Sequence, residues 1–361
     1  MSDTDIAARV LTAPRRFETR RFDRPVLGAD DGLLGVLACG LCGSDVASWR
    51  GEKKHDGPVV LGHEVIGRIA DLGPAAAALW DVRPGDRVAI EEAVPCMFCA
   101  LCRSGHQRLC TRSGIRYGYT STDTAPSLWG GFAPLMYLHP RTQLHRVPDS
   151  VSDELATLYI PLSNGLAWMG DSGELRPGER VAIFGAGQHG IASAAAALRL
   201  GASEVVVVGT DRDGDRLAVA RELGSQVVVA PAEDVEEAVV EVLGGSPDIV
   251  MDMTPSVAHP VEASIRLAAV RGRVLWGGMK RGASRPLIDT DLVAQKELTV
   301  RGLWARPSWA ITAALRWLAS EPALGRLCER TYRIDELDNA FVDAAGEGSA
   351  PAPLHTAVLM N

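Results

Sequence analysis

Two textures divide the chain. Up to about residue 150, short apolar runs such as Val59-Val60-Leu61 and Arg87-Val88-Ala89-Ile90 lie between turn signals, Arg83-Pro84-Gly85-Asp86 among them. Short strands at this spacing predict an irregular β-rich domain. From Glu179 onward the pattern changes. Arg180 to Phe184 is apolar and β-branched, a glycine cluster follows, and Gln188 to Leu200 is long, Ala-rich and free of proline, which reads as strand, turn and helix. The unit repeats with Glu204 to Val208 as strand and Asp213 to Leu223 as helix. Further strands are expected at Gln226 to Val229, Asp248 to Met253 and Arg273 to Trp276. Strands alternating with helices imply a parallel sheet covered on both faces. The tail returns to short segments, with Gly346 to Pro353 as a loop and Thr356 to Met360 as a last strand. Pattern alone does not assign this tail to either domain.

Composition narrows the class. The chain has 361 residues, 47% hydrophobic and 23% charged, which suits a soluble globular protein and, at roughly 150 residues per domain, two domains. A net charge of −8 argues against a sequence-independent grip on nucleic acid. The stretch Met1 to Arg16 has no apolar run long enough for a leader, and no stretch reaches the ~20 apolar residues a membrane span requires, so a cytoplasmic location is expected.

Gly185-Ala186-Gly187-Gln188-His189-Gly190 sets glycines at the first, third and sixth places between a predicted strand and a predicted helix. In a dinucleotide fingerprint the first glycine makes the tight turn, the second admits the pyrophosphate, and the third lets the helix pack closely on the strand. The helix N-terminus offers free N–H groups to the phosphates. Asp211 falls at the end of the second strand, about 20 residues on, where a carboxylate can bind the adenosine ribose. It would repel a 2′-phosphate and so favours NAD over NADP, although Arg212 beside it could turn toward a phosphate.

Seven cysteines, an odd number, suit metal ligation in a reducing compartment better than a disulfide framework. Cys96, Cys99, Cys102 and Cys110 follow C-x2-C-x2-C-x7-C in a lobe at about 94–112. Four thiolates from one loop match a closed tetrahedral zinc site, which is structural because no position is left for substrate.

Together these motifs resemble one family. Cys39-Gly40-Leu41-Cys42-Gly43-Ser44-Asp45, Gly62-His63-Glu64-Val65-Ile66-Gly67, Pro84-Gly85-Asp86-Arg87-Val88, the four-cysteine lobe and the glycine fingerprint look, in this order, like the zinc-containing medium-chain alcohol dehydrogenases. The resemblance implies an α/β protein: a GroES-like β-rich catalytic domain over 1–157, a Rossmann doubly wound domain over 158–305, and a segment 306–361 returning largely to the catalytic domain. It implies hydride transfer between an alcohol carbon and nicotinamide, with zinc polarising the oxygen. Residue by residue, Cys42 and His63 match the first two ligands of a catalytic zinc. Glu64 matches a nearby carboxylate able to join them, Asp45 the group that orients the ligand histidine, and Ser44 the hydroxyl that takes the substrate's proton.

Two departures stand out. The segment Tyr159-Ile160-Pro161-Leu162-Ser163-Asn164-Gly165 is similar to the family's third-ligand segment but puts Ile160, which cannot bind zinc, at the ligand position. No Cys, His, Asp or Glu between Leu155 and Gly170 replaces it. Either Cys42, His63 and Glu64 form a three-ligand site, the favoured reading, or the metal is lost and a carbonyl, imine or activated alkene is reduced without it. Ala47 stands where many members carry a proton-relaying histidine.

The substrate pocket implied by the resemblance has Trp49, Leu303 and Trp304 as candidate walls, Trp304 also beside the cofactor, with ordinary core as an equal reading of the two tryptophans. Aromatic walls without an Arg or Lys clamp suit a secondary, largely apolar or cyclic alcohol, and the Pro161-Leu162-Ser163 segment keeps polyols open. The expected protein is an NAD-dependent alcohol dehydrogenase with one structural and one catalytic zinc. By resemblance it is a homo-oligomer, tetramer before dimer, with no nucleic-acid or membrane partner. A nucleotide-binding protein without catalysis is the remaining alternative.

Overall fold

The computed structural model describes residues 5–112 and 114–360. The chain divides into two compact units, one formed by the residues up to Ile160 together with those from Pro307 onward, the other by Pro161–Arg306.

The first unit begins with β1 (Asp5–Ala13), β2 (Arg16–Asp23), β3 (Gly32–Gly40), β4 (Val59–Val60), β5 (Glu64–Leu72), β6 (Arg87–Ile90), β7 (Leu135–Leu138) and β8 (Leu144–Arg146). The second contributes β9 (Arg180–Phe184), β10 (Glu204–Gly209), β11 (Gln226–Val229), β12 (Ile249–Asp252), β13 (Arg273–Trp276) and β14 (Thr299–Gly302). The chain then re-enters the first unit with β15 (Arg330–Arg333) and β16 (Thr356–Leu359).

In the first unit a sheet of order β15-β16-β3-β5-β6-β8, with β7 also on β3, is accompanied by a small sheet β2-β1-β4. β3 is buried along most of its length, so Leu33, Leu34, Val36 and Cys39 feed the core from both faces. The tail joins here: β16 pairs antiparallel with β3, Val358 opposite Cys39, and parallel with β15. Helix Leu337–Ala344 brings Phe341 against Phe17, Phe132 and Trp49, with ring centroids 4.9, 5.8 and 6.0 Å away. The β1–β2 hairpin was not foreseen. Its charged and small residues alternate because Ala8 and Val10 face inward while partners such as Arg21 and Asp5, 2.6 Å apart, face water, and that period of two is the strand signal.

The second unit is a wholly parallel sheet, as the alternating pattern predicts, of order β11-β10-β9-β12-β13-β14, which is the doubly wound order of the fold the resemblance implies. Its central strands are continuous apolar runs because helices cover both faces. Observed boundaries fall within a residue of the expected ones for these strands, and helix Gln188–Arg199 follows β9 as the glycine cluster predicts. Among the described residues no helix is long and apolar enough to cross a membrane.

Candidate active site and metal centres

The end of β3 and the start of β5 build a buried cradle. β3 ends at Gly40 opposite Glu64, and the chain turns through Leu41 into Cys42, which caps the short helix Gly43–Trp49. Asp45, three residues into the cap, folds its carboxylate back. The Cys42 N–H donates to Oδ2 at 3.0 Å, the Gly62 N–H lies 3.4 Å from Oδ1, and His63 Nδ1 stands 3.3 Å from Oδ1. One fully buried carboxylate thus closes a helix terminus, pins the turn before β5 and orients the histidine ring. Gly62, at φ +92°, makes that turn, and a Cβ there would lie 2.7 Å from Cys39 Sγ.

With His63 Nδ1 turned to Asp45, Nε2 is the ring nitrogen left for a metal. Burial disfavours the charged imidazolium, but Tyr119 and Asp45 outweigh it and hold the His63 pKa well above the usual value. Burial likewise disfavours a Cys42 thiolate, yet the hydrogen bond from His63 outweighs it and draws the thiol's pKa down. The Cys42 sulfur also lies within 4.8 Å of a Glu64 carboxylate oxygen. A thiolate, an imidazole whose proton a dication can replace, and a carboxylate are donors of the kinds zinc takes.

The segment expected to supply a further ligand supplies none. Ile160 is buried, and the neighbouring Tyr159 hydroxyl donates to the Ile90 carbonyl at 2.7 Å and accepts from the Val65 N–H at 3.2 Å. Behind Glu64 stands His355, which sequence reasoning missed. Its Nδ1 is 3.9 Å from Glu64 Oε2, and its Nε2 is 2.8 Å from the Thr157 hydroxyl. Ser44 Oγ lies 2.9 Å from the hydroxyl of Tyr119, another residue not singled out, and that hydroxyl is 3.4 Å from His63 Nδ1. Gly118 (φ +78°) holds Tyr119 in place: a Cβ there would come within 2.9 Å of the Gly62 carbonyl oxygen, a close approach between glycines far apart in the chain. Trp49 corrects an expectation: it is 4% exposed and belongs to the apolar core with Phe341, so it is not a pocket wall. A Trp seven residues beyond Cys42 lies at the buried end of a short helix that packs against helix Leu337–Ala344.

The lobe closes on itself. The ligand atoms of Cys96, Cys99, Cys102 and Cys110 all lie within 4.8 Å of one another, with Cys96–Cys102 and Cys99–Cys110 sulfur separations of 3.8 and 3.9 Å. Backbone N–H groups turn toward the sulfurs, Cys99 to Cys96 at 3.3 Å and Cys102 to Cys99 at 3.4 Å. Desolvation opposes a Cys96 thiolate, but N–H donors at Phe98 and Cys99 prevail and hold its pKa at about 6. Desolvation pushes the Cys102 thiol up to about 12. Four cysteines at this spacing suit a tetrahedral structural zinc.

In the second unit Gly185 (φ +107°) turns the chain out of β9, and a Cβ on Gly190 would stand 1.9 Å from the Gly185 carbonyl oxygen. Gly187 caps helix Gln188–Arg199 and faces open space, as a phosphate-approach glycine requires. The His189 ring packs 5.5 Å from Trp168. Asp211 and Arg212, just past β10, are exposed. Trp304, two residues after β14, is half exposed. Sequence reasoning also missed Asp252 at the end of β12. Fully buried, it accepts from Lys280 Nζ at 2.7 Å and from the Thr254 N–H at 2.9 Å, beside the Gly185 turn.

A β-rich unit with this cradle and a four-cysteine lobe, in one chain with a doubly wound unit opening on a glycine fingerprint, defines a zinc-type medium-chain dehydrogenase. Residues 28–149 match the alcohol dehydrogenase GroES-like domain and residues 189–320 the zinc-binding dehydrogenase domain. A protein of Mycobacterium tuberculosis (strain H37Rv) named as a probable alcohol dehydrogenase is 39% identical over 98% of this chain and 99% of its own length. Rat sorbitol dehydrogenase is 32% identical over 82% of this chain and 80% of its own. The alcohol dehydrogenase TADH from Thermus sp. ATN1 superposes with a TM-score of 0.85 at 26% identity, covering 98% of this chain and 100% of that one. The chain belongs to the zinc-binding alcohol dehydrogenase family and is an oxidoreductase of the kind that acts on alcohols.

Proposed function

We propose that the protein interconverts a secondary, largely apolar or cyclic alcohol and its ketone or aldehyde, with NAD as hydride acceptor. The observation that carries this reading is the buried cradle in which Asp45 orients His63 beside Cys42, with Glu64 and Ser44 adjoining. By donor type, Cys42, His63 and Glu64 would hold a catalytic zinc, and the four lobe cysteines a structural one. Bound there, zinc supplies Lewis-acid polarisation of the reacting oxygen, and the nicotinamide supplies the hydride acceptor. The chain's part is to bind and aim. Asp45 fixes the His63 tautomer, Glu64 balances charge, and Ser44 presents a hydroxyl for the reacting oxygen. Gly185, Gly187 and Gly190 with the amides at Gln188 and His189 would receive the pyrophosphate.

The exposed carboxylate of Asp211 supports NAD over NADP, because a 2′-phosphate would meet like charge there. We take the protein to be cytoplasmic and to assemble as a homo-oligomer, a tetramer before a dimer.

The test is zinc per chain on protein purified without chelator, together with turnover of NAD and NADP on a panel of alcohols and ketones. Two zincs falling to one in His63→Ala, with chelator-sensitive oxidation, is the expected result. One zinc in both would move the assignment to metal-free reduction of a polarised double bond, the reading that Ile160 favours. In Asp211→Ala the preference for NAD should fall on the order of 10-fold, as for the loss of a charge-assisted hydrogen bond.

A further inference from the structure

Ser44 faces a question that Ala47 leaves open: what determines which way its hydroxyl points. A serine hydroxyl has one hydrogen and rotates freely unless a neighbour fixes it. Tyr119 Oη, 2.9 Å away, is that neighbour, and the donors around it can be ordered.

When His63 ligates through Nε2, its only ring proton is on Nδ1, and that N–H lies between Asp45 Oδ1 at 3.3 Å and Tyr119 Oη at 3.4 Å. Toward the histidine, Tyr119 is therefore an acceptor. Its own hydrogen has the Ser44 oxygen to go to. Ser44, receiving that bond, points its own hydrogen away from Tyr119. The tyrosine is held for this task. Lys53 Nζ sits 3.4 Å above its ring centroid, the His55 ring stacks on it at 6.1 Å and 18°, and Gly118 packs its backbone against Gly62.

We propose that Tyr119 is a positioning residue whose hydroxyl donates to Ser44 Oγ, so that the Ser44 hydrogen is left to be aimed at the reacting oxygen when substrate is bound. Ser44 then acts as a preset hydrogen-bond donor to the oxygen on which negative charge develops. This rests on the oxidoreductase reading above.

Tyr119→Phe keeps the ring under Lys53 and beside His55 and removes only the hydroxyl. It should lower kcat on the order of 10-fold to 100-fold, the effect of a lost hydrogen bond to developing charge, with KM changed less than about 3-fold and zinc content unchanged. Tyr119→Phe combined with Ser44→Ala should be no slower than Ser44→Ala alone, because the tyrosine acts only through the serine. The same non-additivity should appear in the affinity of the protein with reduced cofactor for a simple aliphatic carboxamide, whose carbonyl oxygen mimics the reacting one. Independent losses that multiply, or a Tyr119→Phe enzyme within about 2-fold of wild type, overturn the proposal. Neutron diffraction on deuterium-exchanged wild-type crystals decides the geometry even if no alcohol is turned over: the Tyr119 deuterium should lie on the line to Ser44 Oγ, and any other direction refutes the assignment. A wild-type protein without turnover would count against the oxidoreductase reading, and the neutron map would still answer for Tyr119.

Discussion

The four-cysteine lobe takes its donors from one stretch, Cys96 to Cys110. The cradle takes Cys42 from beyond the end of β3, His63 and Glu64 from the start of β5, and its hydroxyl partner Tyr119 from a later loop. In the lobe little besides the cysteines defines the shape; Met97 and Phe98 between them are exposed, and the backbone turns toward sulfur. In the cradle the sheet defines the shape first, with Gly40 paired to Glu64 and the buried Asp45 tying three segments together. A metal in the lobe should therefore be needed for structure, and a metal in the cradle for chemistry.

Four experiments break or sharpen that contrast. The largest effect is expected for His63→Ala, which should lower kcat/KM by ~1,000-fold or more, the loss of several kcal/mol of oxygen polarisation, while Tm stays near wild type and the lobe keeps its zinc. Collapse of the fold would show that the cradle is structural after all. Next, Cys99→Ser should release the lobe zinc and lower Tm by roughly 5–10 °C, with activity retained at low temperature, when followed by calorimetry and metal analysis. An unchanged Tm would remove the structural role. Asp45→Asn keeps the shape of the carboxylate but weakens its hold on the His63 ring. It should reduce affinity for the second zinc ~10- to 100-fold, read by competition with a chelator, and leave the lobe zinc in place. The smallest effect concerns Cys328, which belongs to neither site. Burial, with Glu154 and Glu329 nearby, pushes its thiol up to about 12, so iodoacetamide at neutral pH should leave it intact and its reaction should speed up as pH rises toward that value. Fast labelling near pH 7, detected by peptide mass analysis, would contradict this.

What the sequence revealed follows the same division. The lobe and the glycine fingerprint were legible because their chemistry lies within a single loop or turn, and so were β9 to β13, whose apolar runs are long enough to mark buried parallel strands. Cys42, His63, Glu64 and Asp45 could be picked out only through motifs resembling a family, since nothing local says that β3 and β5 lie side by side. Tyr119 and His355 stayed hidden for that reason: each reaches the cradle through a contact between segments far apart in the chain. Trp49 was misplaced because a large aromatic near a metal motif fits a pocket wall and a core equally well, and only Phe341, from the far end of the chain, shows which it is. The β1–β2 hairpin escaped because alternating arginines read as polarity until their inward partners are seen.

The pairing of β16 with β3 also bears on how the protein is made. Val358 must reach Cys39, so the sheet that carries the cradle lacks a strand until β16 has been made. The doubly wound unit is continuous in the chain and can fold as it emerges. At about 5–20 residues per second, β3 would wait roughly 15–60 s for its neighbour, its apolar edge open in the meantime. The half-built β-rich unit, rather than the doubly wound one, is then the species a nascent-chain chaperone would meet, and a stalled ribosome short of β16 would present a chain with one unit finished and the other still missing a strand.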